Sequence, residues 1–353
     1  MKYQSLGNTG LYVSNLTLGA MTFGRTDDDR MAAQLIGATG QALAEKMVDM
    51  AIEAGVNFFD TANIYHEGDS EIALGKALGD KRKDVVIATK LHGPMGRDMN
   101  NVGQSRIAIM REVEDSLKRL GTDWIDLYQV HSFDETTPLE ETLRALDDLV
   151  HHGKVRYLGL CNYSAWRIAQ ADGLARLLGT ERYCSVQAYY SLVGRELERD
   201  ILPAAQGLGL GTMIWSPLAG GFLSGKYTRD GASKGRRQAF QFPPVDPDRG
   251  FAILDVVNDI AQQRGVTAAE VSLAWLLHKP GVTTVIMGAK NENQLTSNLK
   301  AADLELSENE MTLLDEVSQL VAEYPGWITS FSWQRGKTMD QAAAEALAST
   351  AKR

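Results

Sequence analysis

Three apolar runs each end in a polar residue. GVNFFD closes on Asp60, VVIATK on Lys90 and WIDLYQVH on His131, and Tyr65 follows Asp60 by five residues in DTANIYHEGDSE. A carboxylate at the end of an apolar run is costly unless a cation or hydrogen-bond donor meets it, and Lys90 is such a cation. A phenol ordinarily ionises near pH 10, roughly. An ammonium beside it favours the phenolate, and so makes Tyr65 a better general acid near neutrality. A histidine at the same place donates a hydrogen bond to a substrate oxygen and offsets the negative charge that develops there. Together the four side chains describe a site for protonating an oxygen that becomes an alkoxide, as carbonyl reduction requires.

These side chains meet only if their runs are neighbouring parallel strands. Candidate strands are Leu16–Leu18, Asn57–Asp60, Val85–Thr89, Ile125–Gln129, Tyr157–Leu160, Ser185–Ala188, Gly211–Trp215 and Thr284–Met287. Segments with helical periodicity lie between them, at 42–55, 105–121, 138–153 and 166–179, each running into a glycine as a helix C-terminus favours. Such alternation predicts a mostly parallel sheet, and its even rhythm favours a closed (β/α)8 TIM barrel over an open one. In that barrel the C-terminal strand ends carry the site, with neighbouring strands about 5 Å apart. The opening KYQSLGNTGLYVS predicts an N-terminal β-hairpin that plugs the barrel bottom.

The expected organisation is one barrel domain over residues 1–323, with the hairpin at 1–14 and a long covering loop at 216–250, then a C-terminal tail at 324–353. Trp327, Phe331 and Trp333 of the tail are candidates for a lid. Met21, Phe23, Leu91 and His92, with Tyr65 and segments adjoining Trp124, are expected to line the substrate mouth. The polar stretch HGPMGRDMNNVGQSR after Lys90 reads as a long flexible loop with room for a bulky or oxygen-rich carbonyl compound.

The formal net charge is −9, from 36 basic and 45 acidic residues in a chain of 353, with no basic stripe. A nucleic-acid partner is therefore not expected. The N-terminal stretch lacks the pattern of a secretory signal, and no apolar run approaches the roughly 18 residues of a membrane span, so a cytoplasmic location is expected. Cys161 and Cys184 are read as reduced thiols. His and carboxylate residues lack ligand spacing, so no metal is expected. GLGLGT at 207–212 imitates a dinucleotide fingerprint but leads into a strand, and is read as a helix-to-strand turn.

With these residues in view, the chain resembles the aldo-keto reductase family, in the branch that contains bacterial members and potassium-channel beta subunits. The resemblance rests on GVNFFDTANIYHEGDSEIALGKAL, Lys90 in IATK, DLYQVH, GLCNYSAW, VQAYYSLVGRELERDILP, WSPLAGGFLSGKY and MGAKNENQLTSNLKA, in family order over about residues 1–320. It implies NAD(P)H-dependent reduction of an aldehyde or ketone, with the family's tetrad on Asp60, Tyr65, Lys90 and His131. It also implies that Asn162 and Gln187 bind the carboxamide, that Trp215 stacks on the nicotinamide, and that Ser216, Leu218 and Gly220 cover the pyrophosphate.

The last block reads as strand, glycine turn and helix with Asn291 as N-cap, and a helix N-terminus attracts phosphate. Lys290 and Lys226 add positive charge there, with Arg236 or Arg237 reaching in from the long loop. NADPH is therefore expected over NADH. Asn298 matches the family's adenosine-phosphate helix, whereas Gln294 stands where many members carry Arg, and Cys161 where many carry Ser. The partner expected is a small carbonyl compound. The same branch leaves open an NADP(H)-binding redox sensor with slow turnover, and homo-oligomerisation is left open too.

Overall fold

The computed structural model describes residues 1–229, 231, 236–329, 338–341 and 343–344. The chain forms two compact units, Met1–Ser318 and Gln319–Arg353. In the second unit a one-turn helix spans Gly326–Thr329, with the rings of Tyr324 and Trp327 6.0 Å apart. Phe331 and Trp333 lie outside the described residues.

The first unit opens with a hairpin of β1 (Tyr3–Ser5) and β2 (Tyr12–Ser14). Eight further strands follow: β3 (Leu16–Gly19), β4 (Phe58–Asp60), β5 (Val86–Leu91), β6 (Ile125–Val130), β7 (Val155–Cys161), β8 (Tyr183–Tyr189), β9 (Gly211–Trp215) and β10 (Thr284–Met287). They pair in parallel in chain order and close into a barrel when β10 returns to β3. At that seam Val285 pairs with Leu16, and the hydroxyls of Thr17 and Thr284 lie 2.6 Å apart.

Helices pack outside the barrel: α1 (Met31–Ile36), α2 (Gln41–Glu53), α3 (Asp69–Leu78), α4 (Arg106–Leu120), α5 (Leu139–His151), α6 (Ala165–Leu178), α7 (Ile201–Leu208), α8 (Arg236–Ala239), α9 (Pro247–Arg264), α10 (Ala268–His278), α11 (Glu292–Lys300) and α12 (Glu308–Val317). Their sequences explain their ends and faces. In α5 Thr142, Leu143, Ala145, Leu146 and Leu149 form the buried stripe, at the spacing a helix needs to face a core. Ser105 caps α4 by accepting from Ala108 N, and Gly121 ends it in the left-handed conformation. α7 ends at Gly209 just before β9, so GLGLGT is a helix-to-strand turn.

Strand alternation sorts the barrel side chains into two sets. One set points outward to the helices and contains Leu18, Phe59, Ile87, Leu91, Tyr128, Leu160 and Val186. The other points inward and is apolar at the bottom, where Phe58, Val86, Ala88, Leu127 and Met213 pack with Leu6 and Val13 of the hairpin. Asn8 N donates to Gly209 O at 2.8 Å, so the hairpin plugs the bottom of the barrel. One step higher on the same strands stand Asp60, Lys90, Gln129 and Trp215, and the interior becomes polar.

Two sequence expectations need correcting. Trp124 immediately precedes β6, at the barrel end opposite the C-terminal mouth, where its indole donates to Asp126. The stretch after Lys90 is not a loose loop: Gly103 N donates to His92 O, Met95 N to Asn101 O and Gln104 N to Asp134 Oδ2 at 2.8–3.1 Å. These bonds give the segment a fixed shape.

Candidate active site

Asp60 is the last residue of β4, Lys90 lies one residue before the end of β5, and His131 directly follows β6. The ladder sets Asp60 opposite Ala88 and Lys90 opposite Gln129, so these side chains rise to adjacent positions on the inner wall. Lys90 Nζ donates to Asp60 Oδ1 at 2.5 Å, to Thr61 O at 2.7 Å and to Tyr65 Oη at 3.4 Å. The lysine side chain is fully buried and that of Asp60 nearly so. Burial works against charge on Lys90, but Asp60, with Tyr65 and Cys161, outweighs it and holds the ammonium above its ordinary pKa.

The second oxygen of Asp60 accepts from Gln187 Nε2 at 2.9 Å and from Gln129 Nε2 at 3.2 Å. Gln129 Oε1 in turn accepts from Gln187 Nε2 at 3.4 Å and from the Cys161 thiol at 3.6 Å. Both Asp60 oxygens are therefore satisfied although the group is buried. Gln129 went unrecognised in the sequence. The signal was available, because two residues before His131 on one strand is the same face of the barrel.

Tyr65 sits in a turn, Tyr65–Gly68, that hands β4 over to α3. Its ring meets His131 edge-on at 5.7 Å, and Lys90 Nζ lies 4.9 Å from its centroid. Burial raises the phenol pKa, Lys90 pulls it down, and Asp60 pushes it up again. The net shift is upward, contrary to the lowering expected from the ammonium alone, because desolvation outweighs the ammonium and Asp60 partly cancels it. His131 is held down to about 3 by burial, Lys90 and His92, so it is a neutral imidazole and acts as a hydrogen-bond donor without charge.

Backbone strain concentrates at this mouth. Among the described residues the non-glycine positions at positive φ are His66, Glu67, His92, Asn162, Ser216 and Ala219. All of them lie in loops after β4, β5, β7 and β9, on the C-terminal face. Such conformations cost about 1–3 kcal/mol each and persist where the surroundings impose them, as at ligand sites.

Of the expected cofactor residues, Asn162 and Gln187 bond to the four directly and Trp215 through Asn162. Asn162 Nδ2 donates to His131 O and its Oδ1 accepts from Trp215 Nε1, both at 2.9 Å. Trp215 stacks with Phe242 at 5.7 Å and lies 5.1 Å from Tyr189. Ser216 Oγ accepts from Gly220 N at 3.0 Å, after which half-buried Leu218 opens a tight turn, Ala219–Ser224. A Cβ on Gly220 would lie 2.5 Å from Phe242 O, and its φ of +65° is one that glycine adopts without strain.

Arg237 is buried and donates to Ala219 O and Pro243 O, binding the long loop to itself, and the Arg236 side chain lies outside the described residues. Lys226 Nζ lies 5.4 Å from the Tyr227 ring, beside Gly221. At α11, Asn291 is the N-cap and accepts from Gln294 N, while Gln294 Oε1 accepts from Lys290 N and Asn298 Nδ2 donates to Gly288 O. This donor set fits a nicotinamide dinucleotide: an aromatic wall, carboxamides, a turn with left-handed residues, and a helix N-terminus beside a lysine.

The expected substrate positions divide. Met21 and His92 are half-buried at the mouth. Phe23 and Leu91 are fully buried in the core, because Leu91 follows Lys90 and so points to the opposite face of β5. Among the described residues no group of three or more His, Cys, Asp or Glu side chains is placed to hold a metal ion. Likewise no helix among them is long and apolar enough to cross a membrane. Cys161 and Cys184 are free thiols.

A closed barrel with this mouth defines a class, and comparison of sequences gives the family. The profile of the Aldo/keto reductase family matches residues 15–319, and the chain belongs to that family. It is 37% identical over 330 residues to the uncharacterized oxidoreductase YrpG of Bacillus subtilis (strain 168), covering 90% of this chain and 96% of the relative. It is 38% identical over 314 residues to a probable voltage-gated potassium channel subunit beta of Oryza sativa subsp. japonica, covering 86% and 92%. A versiconal hemiacetal acetate reductase of Aspergillus parasiticus is 31% identical over 355 residues, covering 92% and 99%. The protein is thus an oxidoreductase acting on carbonyl groups, of a family that generally uses NAD(P)H.

Proposed function

We propose that the protein reduces an aldehyde or ketone to the alcohol with NADPH, and that Tyr65 is the general acid. The observation that carries this reading is the placement of Lys90 Nζ between Asp60 Oδ1, at 2.5 Å, and Tyr65 Oη, at 3.4 Å. Tyr65 keeps its proton at neutral pH and presents it at the mouth. Neutral His131 donates a hydrogen bond to the same substrate oxygen and orients it. Lys90 stabilises the phenolate left after proton transfer, and Asp60 keeps Lys90 charged. Asn162, Gln187 and Trp215 would hold the nicotinamide end of the cofactor, and Ser216, Leu218 and Gly220 its pyrophosphate. Lys226, Arg236, Lys290, Gln294 and Asn298 would hold the adenosine phosphate, with the lysines favouring NADPH over NADH. When bound, the cofactor supplies the hydride.

The test is NADPH oxidation with a panel of aldehydes, ketosugars and cyclic ketones, for the wild type and Tyr65→Phe side by side. Turnover by the wild type is expected to fall at least about 100-fold in the variant, with cofactor affinity little changed. An equally active variant refutes the assignment of Tyr65. Higher catalytic efficiency with NADH refutes the cofactor preference. Tight NADP(H) binding with no turnover of any compound favours a sensor role, like that suggested by similarity to the channel subunit.

A further inference from the structure

The segment after β5 holds a second imidazole that the proposed reaction does not use. His92 directly follows β5 and His131 directly follows β6, and His131 N donates to Leu91 O at 2.9 Å. The two histidines thus stand on neighbouring strand ends, and His92 is one of the groups that hold the His131 pKa down. The backbone of His92 is strained, with φ at +137°. Residues other than glycine rarely accept that region, and they do so where the surrounding structure imposes it.

Beside His92 stands Gln104, which is 1% exposed and bonded through every polar group it has. Its backbone N donates to Asp134 Oδ2 at 2.8 Å, and its backbone O accepts from Thr142 Oγ1 at 3.0 Å. Its side-chain Oε1 accepts from Tyr163 Oη at 3.2 Å. Its Nε2 donates to Ser132 O and lies 3.3 Å from His92 Nδ1. This one side chain therefore ties together loops that begin at three successive strand ends.

The network also decides where the His92 proton sits. A carbonyl only accepts, so the end of Gln104 that meets Ser132 O is its NH2 group. The other hydrogen of that group points to His92 Nδ1, which must accept it. A neutral imidazole that accepts at Nδ1 carries its proton at Nε2. Burial, opposed in part by Asp134, lowers the pKa of His92 and keeps it neutral. Among the described residues no protein group takes its Nε2, and the ring is half-buried at the mouth.

We propose that His92 is a specificity-determining residue: its Nε2–H, fixed by Gln104, donates to a second oxygen next to the reacting carbonyl and favours α-hydroxy carbonyl compounds. The proposal rests on the carbonyl-reduction reading above. Oxygens on adjacent carbons would meet donors on adjacent strand ends, His131 for one and His92 for the other. A site built to bond a hydroxyl discriminates against the analogue that lacks it, because its donor is then left unpaired.

Two measurements test it. In 15N-labelled protein at neutral pH, long-range 1H–15N spectra should show His92 as the neutral Nε2–H form. Gln104→Glu should move its proton to Nδ1, and a wild-type His92 protonated at Nδ1 overturns the proposal. Separately, kcat/KM is measured for 2-hydroxyacetophenone and for acetophenone. The ratio of the two should fall about 3- to 10-fold in His92→Phe, the worth of one hydrogen bond, and recover in part in His92→Gln, which restores a donor. A ratio unchanged in His92→Phe refutes the role in specificity while leaving carbonyl reduction standing. A wild type that turns over no carbonyl compound removes both readings.

Discussion

Replacing Asp60 by Asn tests the buried charge pair at the centre of the site with almost no change in shape. The wild-type carboxylate meets Lys90 at one oxygen and two carboxamide donors, from Gln129 and Gln187, at the other. An asparagine cannot serve both sides: it accepts from Lys90 only by turning its NH2 toward two other NH2 groups. The lysine keeps Thr61 O as an acceptor but loses its counter-ion while its side chain remains fully buried.

Removing one partner of such a pair costs about 3–5 kcal/mol. At a urea sensitivity of about 3 kcal/mol per M or somewhat more, as a chain of this length implies, that lowers the urea midpoint by roughly 1 M. The pH dependence gives a sharper test. In the wild type the folded pKa of Lys90 is raised. Its contribution is therefore complete below the unfolded value of about 10.4 and is lost only as pH rises through the higher folded value. From pH 6 to 9.5, then, Lys90 leaves wild-type stability flat.

In the variant burial loses its main opponent, Asp60, and the folded pKa is expected to fall below about 10.4. Between that depressed value and about 10.4 the unfolded chain binds more protons than the folded one, so the variant gains stability with rising pH, by up to about 1.4 kcal/mol per unit. Urea unfolding followed by near-UV circular dichroism from pH 6 to 9.5 should show the gap between wild type and variant narrowing at the alkaline end. A gap that is absent at neutral pH, or that widens with pH, refutes the reasoning.

Because His131 is held down to about 3, kcat/KM for reduction should show no limb near pH 6.5. It should fall only above about pH 10, where Tyr65, held above the ordinary phenol value, loses the proton it must donate, and an acidic limb with the ordinary histidine midpoint in a profile from pH 5 upward would contradict this. Gly75→Ala should lower the melting temperature although alanine is the better helix former by about 1 kcal/mol. A Cβ on Gly75 of α3 would lie 2.2 Å from Leu120 O of α4, and a backbone carbonyl yields little. Overpacking costs about 1–3 kcal/mol, and a raised melting temperature would show that the two helices separate freely.

The barrel and its four mouth residues were legible because both follow from short periods. Parallel strands in chain order place Asp60, Lys90 and His131 at adjacent ends whatever the helices do, and β9 and β10 match their expected bounds. Phe23 and Leu91 were misplaced because nearness in sequence to Lys90 or Met21 says nothing about which face a side chain takes. Gln129 and Gln104 were missed for another reason. Their partners lie 69 residues away at Asp60 and 59 residues away at Tyr163, and although strand alternation marks the face that Gln129 takes, a lone glutamine carries no mark of what its amide meets. The polar composition that made the segment after Lys90 look loose supplies the hydrogen bonds that hold it.

The seam between β3 and β10 has a consequence for how the chain is made. Thr17 and Thr284 meet across 267 residues of sequence. At translation rates of roughly 5–20 residues per second, that interval takes about a quarter of a minute to most of a minute. Throughout it β3 emerges from the ribosome with one edge lacking its eventual neighbour, a state open to pairing with the wrong strand. The hairpin must wait as well, since Gly209, which bonds Asn8, is synthesised some two hundred residues later. The first segments to emerge are thus among the last to be completed, and the nascent chain must be kept from association until its final strand arrives.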